Sequence, residues 1–253
     1  MKLSVCRMTL STDLLRLQMK WVVSVAVALP LLSIFICMFL SFIYHFDSVL
    51  WTHCNVPNFL PSISTVIGNY KPQKYIWRMG VALHITPRLL FATVYYNYYG
   101  DMKHVVETKR KGFVLCNRVG YVSHICEIFC LLGLTCVSST EDFGIHRNCF
   151  TGFGICSFLN MFLSCVLSHW PRISKSQMEC CSAKKKLYIF LANVTSFALV
   201  MYLYWRHNAY CEPYVYSFFA MFEYAVIMTN MAFHSIAIDD FGKKYIMLLE
   251  DGR

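Results

Sequence analysis

The segment Trp21–Tyr44, WVVSVAVALPLLSIFICMFLSFIY, runs for 24 residues without a charged side chain. A hydrocarbon layer about 30 Å thick is crossed by roughly 20 mostly apolar residues in a helix. Five more segments approach this pattern: Tyr75–Tyr99, Phe113–Ser138, Asn148–His169, Leu187–Arg206 and Tyr214–Ile238. With no water in the bilayer core to satisfy backbone polar groups, only helices or a closed barrel can span it, and segments of this length suit helices. The expectation is an all-α polytopic membrane protein. It comprises an arm over residues 1–20, a six-transmembrane-helix bundle over 21–238 with a luminal loop cap at 45–74, and a tail at 239–253. Trp21–Tyr44 exceeds the apolar stretch of about 7–15 residues in a signal peptide and is read as a retained span.

Composition agrees. Charged residues make up 15% of the chain, against about 25% in soluble domains, and mean hydropathy is +0.47. The net charge of +9 does not point to nucleic acid, because the basic residues sit in short tracts beside apolar spans and form no basic face. Their placement sets orientation by the positive-inside rule. Sixteen fall on the side of the two termini: Lys2, Arg7, Arg16, Lys20, Lys103, Lys109, Arg110, Lys111, Arg172, Lys175, Lys184, Lys185, Lys186, Lys243, Lys244 and Arg253. Four fall opposite: Lys71, Lys74, Arg147 and Arg206. Both termini are therefore expected in the cytosol, with the first, third and fifth loops luminal or exterior.

Most of the thirteen cysteines lie inside apolar spans, and no paired CxxC elements with zinc spacing appear; no metal site is expected. Cys54 and Cys211 are the two cysteines of the luminal loops clear of the spans, and thiols in an oxidising compartment tend to pair. A Cys54–Cys211 bond would staple the cap to the sixth span; Cys149 competes as a partner. Vicinal Cys180 and Cys181, beside a basic run, are open to acylation or are plain thiols. Asn193-Val-Thr195 matches a glycosylation pattern but lies within the fifth span.

Ionisable residues at membrane depth cost about 2.5–3.5 kcal/mol each on translocon scales. His84 and Arg88 are four apart and share a helix face, and Glu127 and Glu223 lie at comparable depth. One reading is a buried Arg88–Glu ion pair that fixes helix register. The other is a wet polar pocket open to the lumen, with Arg78 and Arg88 as ligands for a phosphate-bearing lipid head, since guanidinium forks match phosphate. The catalytic candidates are His84, Glu127 and Glu223, with His146 beside Glu141 and Asp142 as a luminal base near a hydroxyl or thioester. The luminal polar residues, His53 and His207 among them, also fit a solvated interfacial collar.

Five blocks in register carry a family resemblance: THCNVPNFLPSISTVIG, PQKYIWRMGVALHITPRLL, VSSTEDFGIHRNCF, YWRHNAYCEPYVYSFFAMFEYAVIMTNMAFH and DFGKK. Together, from about Leu14 to Lys244, they resemble the post-GPI-attachment-to-proteins factor 2 family and its 2-like paralogues, within a wider set of DRAM-, Sfk- and Cwh-type membrane proteins. The resemblance implies a multi-pass protein of the Golgi, and in part ER, membrane. It implies GPI-anchor lipid remodelling after attachment to protein, supporting reacylation of lyso-GPI with a saturated chain. Its partners would be the lipid of GPI-anchored proteins, membrane lipids and other GPI-remodelling proteins. It implies no bound cofactor, with acyl-CoA as the donor if the chain is an enzyme. No HxxxxD acyltransferase box is present: Leu89 and Thr151 stand five residues after His84 and His146. An acyltransferase, a non-catalytic lipid-binding protein and a DRAM-like membrane regulator all stand as readings.

Overall fold

The computed structural model describes residues 13–102, 110–170 and 177–249. In chain order the elements are β1 (Asp13–Gln18), α1 (Met19–Tyr44), α2 (Phe46–Leu50), α3 (Ile63–Gly68), α4 (Gln73–Met102) and α5 (Arg110–Cys136). They continue with α6 (Phe143–His169), α7 (Gln177–Tyr210), α8 (Val215–Ser235), α9 (Ala237–Phe241) and β2 (Tyr245–Leu249). The six long helices α1, α4, α5, α6, α7 and α8 pack on one another in chain order, and α8 returns to α1 to close a ring.

Four of them, α1, α5, α6 and α7, are long and apolar enough to cross a membrane. The other two, α4 and α8, fall short of that apolarity because they carry Arg78, His84 and Arg88, or Glu223, Asn230 and His234. The surface makes the solvent plain. Along α1, Trp21, Val25, Leu32, Phe35, Phe39 and Ile43 recur at helical spacing and are each more than half exposed. Val23, Ala26, Pro30, Ser33, Ile34, Cys37 and Ser41 form the buried stripe. An apolar outer face that long is tolerated in hydrocarbon but not in water. This is a membrane protein.

Helix α1 meets α4 at two unusual points. Gly80 allows close approach: a Cβ there would lie 1.9 Å from Ser33 Oγ and 3.3 Å from the Leu29 carbonyl oxygen. One helical turn further along, Pro30 lacks the N–H that would bond the carbonyl of Ala26. His84 on α4 supplies the missing donor, its Nδ1 lying 2.6 Å from Ala26 O. A proline defect in one helix thereby fixes a histidine of the next.

The two ends of the bundle differ. At the terminal end, β1 and β2 pair antiparallel, Arg16 opposite Met247, and the Met19 amide donates to Lys244 O at 2.9 Å. The expected arm and tail are thus joined as a ribbon where both are described; Lys2, Arg7, Lys103, Lys109, Arg172, Lys175 and Arg253 of the charge count lie outside the described residues. Also at this end, Lys186, 3% exposed, donates to Asp240 at 2.7 Å. Helix α7 begins ten residues before the expected span, because Lys184–Lys186 and their neighbours continue a helix readily.

At the cap end, residues 45–74 are more than the expected loop: they hold α2 and α3. Ser62 N-caps α3, accepting the Thr65 amide at 3.3 Å, which satisfies one of the orphan donors of a helix start. Of the two pairings open to Cys54, the structure has the Cys54–Cys211 disulfide, and Cys149 is free. Further bonds dock the cap on α8. Tyr214 N donates to Pro57 O, the Ser217 hydroxyl accepts from Phe59 N and Leu60 N, and Glu223 accepts from Ile63 N at 2.9 Å.

Candidate functional site: a buried arginine–glutamate–histidine layer

Four helices turn pairs of polar residues inward at spacings of three or four, which share a face. These are His84 and Arg88 on α4, His124 and Glu127 on α5, Ser157 and Asn160 on α6, and Asn230 and His234 on α8. They converge on Glu127, which is fully buried, as is Arg88 at 1% exposed. Arg88 Nη2 lies 2.8 Å from Glu127 Oε1. Asn160 Nδ2 donates to Oε2 at 2.9 Å, and Asn230 Nδ2 to Oε1 at 3.3 Å. Asn230 also donates to Ser157 Oγ at 2.8 Å. A buried charge is tolerable only when paired and hydrogen-bonded, and this carboxylate is both.

His234 completes the layer. Its Nε2 lies 2.6 Å from Arg88 Nη2 and 3.5 Å from Glu127 Oε1. A guanidinium can only donate, so the shorter contact makes Nε2 an acceptor and puts the ring proton on Nδ1. The His124 ring stacks on His234 with centroids 5.3 Å apart.

Several polar atoms in the layer are buried without a protein partner: Arg88 Nε and Nη1, His84 Nε2, His124 Nε2 and Asn230 Oδ1. Such groups are costly to bury unsatisfied. Unused guanidinium donors and an unused imidazole nitrogen within one buried layer are the kinds of group that a carbonyl oxygen and a transferable proton require. The ligand atoms of His124, Glu127 and His234 also lie within 4.8 Å of one another, a spacing that could hold a metal. Arg88 argues against that use, since its positive charge already sits against two of the three.

A cleft runs from this layer along the bundle. His124 and His234 border one end and Lys186 the other, with Tyr96, Asn117 and Tyr121 along the wall. It leads toward the terminal end, away from the cap, whereas the sequence reading had a pocket opening on the cap side.

The remaining expected site residues do not join the layer. Arg78 lies at the cap end, donating from Nε to Thr135 O and from Nη2 to Cys136 O and Glu141. It is therefore apart from Arg88, and the two guanidiniums share no site. Glu223 is engaged by the cap through Ile63. His146 Nδ1 bonds Val137 O at 2.7 Å, near the Glu141 loop. In that loop Glu141 is held by Lys74, Arg78 and the Ser138 amide and hydroxyl. The Lys74 bond foremost, then that of the Ser138 amide, lowers its carboxyl from 4.5 to about 2. His124, Ser157, Asn160, Asn230 and His234 are the members of the layer that the sequence reading did not assign. Their spacing to Glu127 or to one another was the available signal.

A ring of helices with an apolar exterior and a hydrogen-bonded ion pair at its centre defines a helical membrane protein with an interior polar site. The chain belongs to the Frag1/DRAM/Sfk1/Cwh43P N-terminal domain family, whose model matches residues 18–244. Among its relatives is a Caenorhabditis elegans protein named "Post-GPI attachment to proteins factor 2", 40% identical over 93% of this chain and 90% of the relative. A Xenopus tropicalis protein named "Acyltransferase PGAP2" is 37% identical over 89% of this chain and 88% of its own length. A Drosophila melanogaster protein named "Post-GPI attachment to proteins factor 2-like" is 33% identical, covering 90% and 71% respectively. No solved structure matches the chain.

Proposed function

We propose that this chain remodels the lipid of GPI anchors after their attachment to protein, as an acyltransferase that restores a saturated fatty acid to lyso-GPI. It would do so in the Golgi membrane and, in part, the ER membrane. The relatives' names support the process, and the Xenopus name supports the reaction. The observation that carries the chemistry is the unpartnered His124 Nε2 and Arg88 donors beside a fixed Glu127.

In this reading all six long helices span the bilayer, with both termini in the cytosol and the cap in the lumen. The supports are the ring of helices and the sixteen-to-four bias of cationic residues. GPI glycans face the lumen, so the acceptor comes from the cap side. The free hydroxyl of lyso-GPI attacks a thioester carbonyl and loses its proton to His124. Arg88 N–H groups stabilise the oxygen that gains charge. The new C–O bond forms, the C–S bond breaks, and the departing thiolate recovers the proton from His124. Glu127 positions Arg88 and does not react.

A lipid-presenting role without turnover is the second reading, favoured by how fully Glu127 is already satisfied. Two measurements test the proposal. The first is rescue of GPI-anchored protein at the surface of remodelling-deficient cells. The second is acyl transfer by purified protein given lyso-GPI and stearoyl-CoA. Rescue together with product supports the enzyme; tight lyso-GPI binding without product supports the presenter; no rescue refutes both.

A further inference from the structure

We infer that the cleft between the histidine layer and Lys186 seats the acyl donor, a long-chain thioester of a polyanionic carrier, coenzyme A. The donor enters from the bundle end opposite the cap. This rests on the acyl-transfer reading above and adds where the donor lies and from which face it comes.

The inner end of the cleft is lined by His124 and His234, and Arg88 sits behind them against His234. His124 is 6% exposed, lines the cleft and leaves Nε2 unpartnered. One helical turn away on the same face, Glu127 holds Arg88, whose Nε and Nη1 are unpartnered. The wall is aromatic and polar. Tyr96 and Tyr121 pack with ring centroids 4.8 Å apart, and Asn117 donates to Tyr96 O at 2.9 Å. A bare acyl chain is best met by an aliphatic wall; an amide-bearing arm that joins an acyl group to a phosphorylated head suits this one better.

The outer end is cationic. Lys186 closes it, held by Asp240 and lying 4.9 Å from the centroid of the Tyr95 ring. Lys184, Lys185, Lys243 and Lys244 belong to the same end. The positive-inside rule accounts for cations in loops, but not for a lysine 3% exposed at the end of a cleft. At the cap end Lys74 and Arg78 are held by Glu141 and Arg206 by Glu212, and at the outer end Lys185 and Lys186 are likewise held by Asp239 and Asp240. The difference is that Lys184, Lys243 and Lys244 of the outer end carry no ion pair among the described residues. Donor and acceptor would therefore approach the layer from opposite faces.

The test is photolabelling of the full chain in nanodiscs by stearoyl-CoA carrying a diazirine near the thioester, with labelled peptides mapped by mass spectrometry. The expected result is saturable labelling of peptides holding Tyr96, Asn117–Tyr121 or Ser164, competed by stearoyl-CoA and not by stearate. Gly120 lines the cleft, and a Cβ there would meet Leu163 at an ordinary 3.6 Å, so Gly120→Leu reduces free space. An overpacking effect of 1.4 kcal/mol is a factor of ten, so labelling should fall about tenfold in Gly120→Leu protein that elutes like the unaltered chain. Should that variant not fold, the peptide map decides alone. Label confined to the cap, label that stearoyl-CoA does not compete, or cleft labelling by a photoreactive phospholipid instead would overturn the inference. Cellular rescue without cleft labelling would sink the donor site and leave the remodelling role. Cleft labelling without rescue would support the donor site and remove that role.

Discussion

Replacing Glu127 by Gln keeps the side-chain shape and removes the charge at the centre of the bundle. Glu127 accepts on both oxygens: Oε2 from Asn160, Oε1 from Arg88 and Asn230. A glutamine has one acceptor oxygen and one donor amide. Whichever way it turns, one set of donors faces another donor, and Arg88 is left as a buried cation with no countercharge. Removing one partner of a buried pair costs about 3–5 kcal/mol. With roughly 2–4 °C per kcal/mol for chains of this size, Glu127→Gln should lower the midpoint of thermal unfolding in detergent by roughly 6–20 °C. Arg88→Leu should fall by a similar amount, since it strands the carboxylate. The double variant should lose less than the sum of the two, with a coupling of about 1–3 kcal/mol, because neither charge remains. Dye-monitored or fluorescence-detected melting of the four proteins gives the cycle. Additive losses, or single variants that melt within about 2 °C of the parent, less than 1 kcal/mol on that scale, would refute the ion pair as the centre of the layer.

Cys54→Ala and Cys211→Ala should each abolish the mobility shift of the protein on reducing gels and lower stability by about 2–5 kcal/mol, since the bond closes a separation of 157 residues. Gly80→Ala should destabilise by about 1–3 kcal/mol through overpacking against Ser33 and Leu29, read by melting, whereas Gly100→Ala, with its nearest neighbour at 4.0 Å, should not. Glu141 has a folded value of about 2 against its ordinary 4.5. A lowered acid contributes stability that is complete above the ordinary value and lost as the carboxylate protonates. The difference in melting point between the parent and Glu141→Gln should thus be full above pH 4.5 and shrink as pH falls toward about 2; a pH-independent difference would remove the Lys74–Glu141–Arg78 link.

The helices were legible because apolar runs of this length have few other solutions. Their ends were not: α7 starts at Gln177 because lysines extend a helix beyond the hydrocarbon, and hydropathy does not see that. Arg88 and Glu127 stood out because charge at depth needs a partner. Glu223 was grouped with them because counting residues gives height along a helix and not its azimuth. The structure turns Glu223 to the cap, where Ile63 N needs an acceptor. His124, three residues before Glu127, and His234, four after Asn230, could have been joined by spacing alone. Their meeting across α5 and α8 depends on which helices are neighbours, and that follows from ring closure, a long-range property. Likewise Pro30 is visible in the sequence as a residue with no N–H to donate, but not as the reason His84 finds a carbonyl on α1.

The β1–β2 ribbon has a consequence for biosynthesis. Asp13–Gln18 is synthesised before the first long helix, and its partner Tyr245–Leu249 only after the last of the six. Met19 likewise waits for Lys244. While the six long helices are being made, the first one therefore has this clasp open, and the bundle is latched only once α8 and β2 have both emerged.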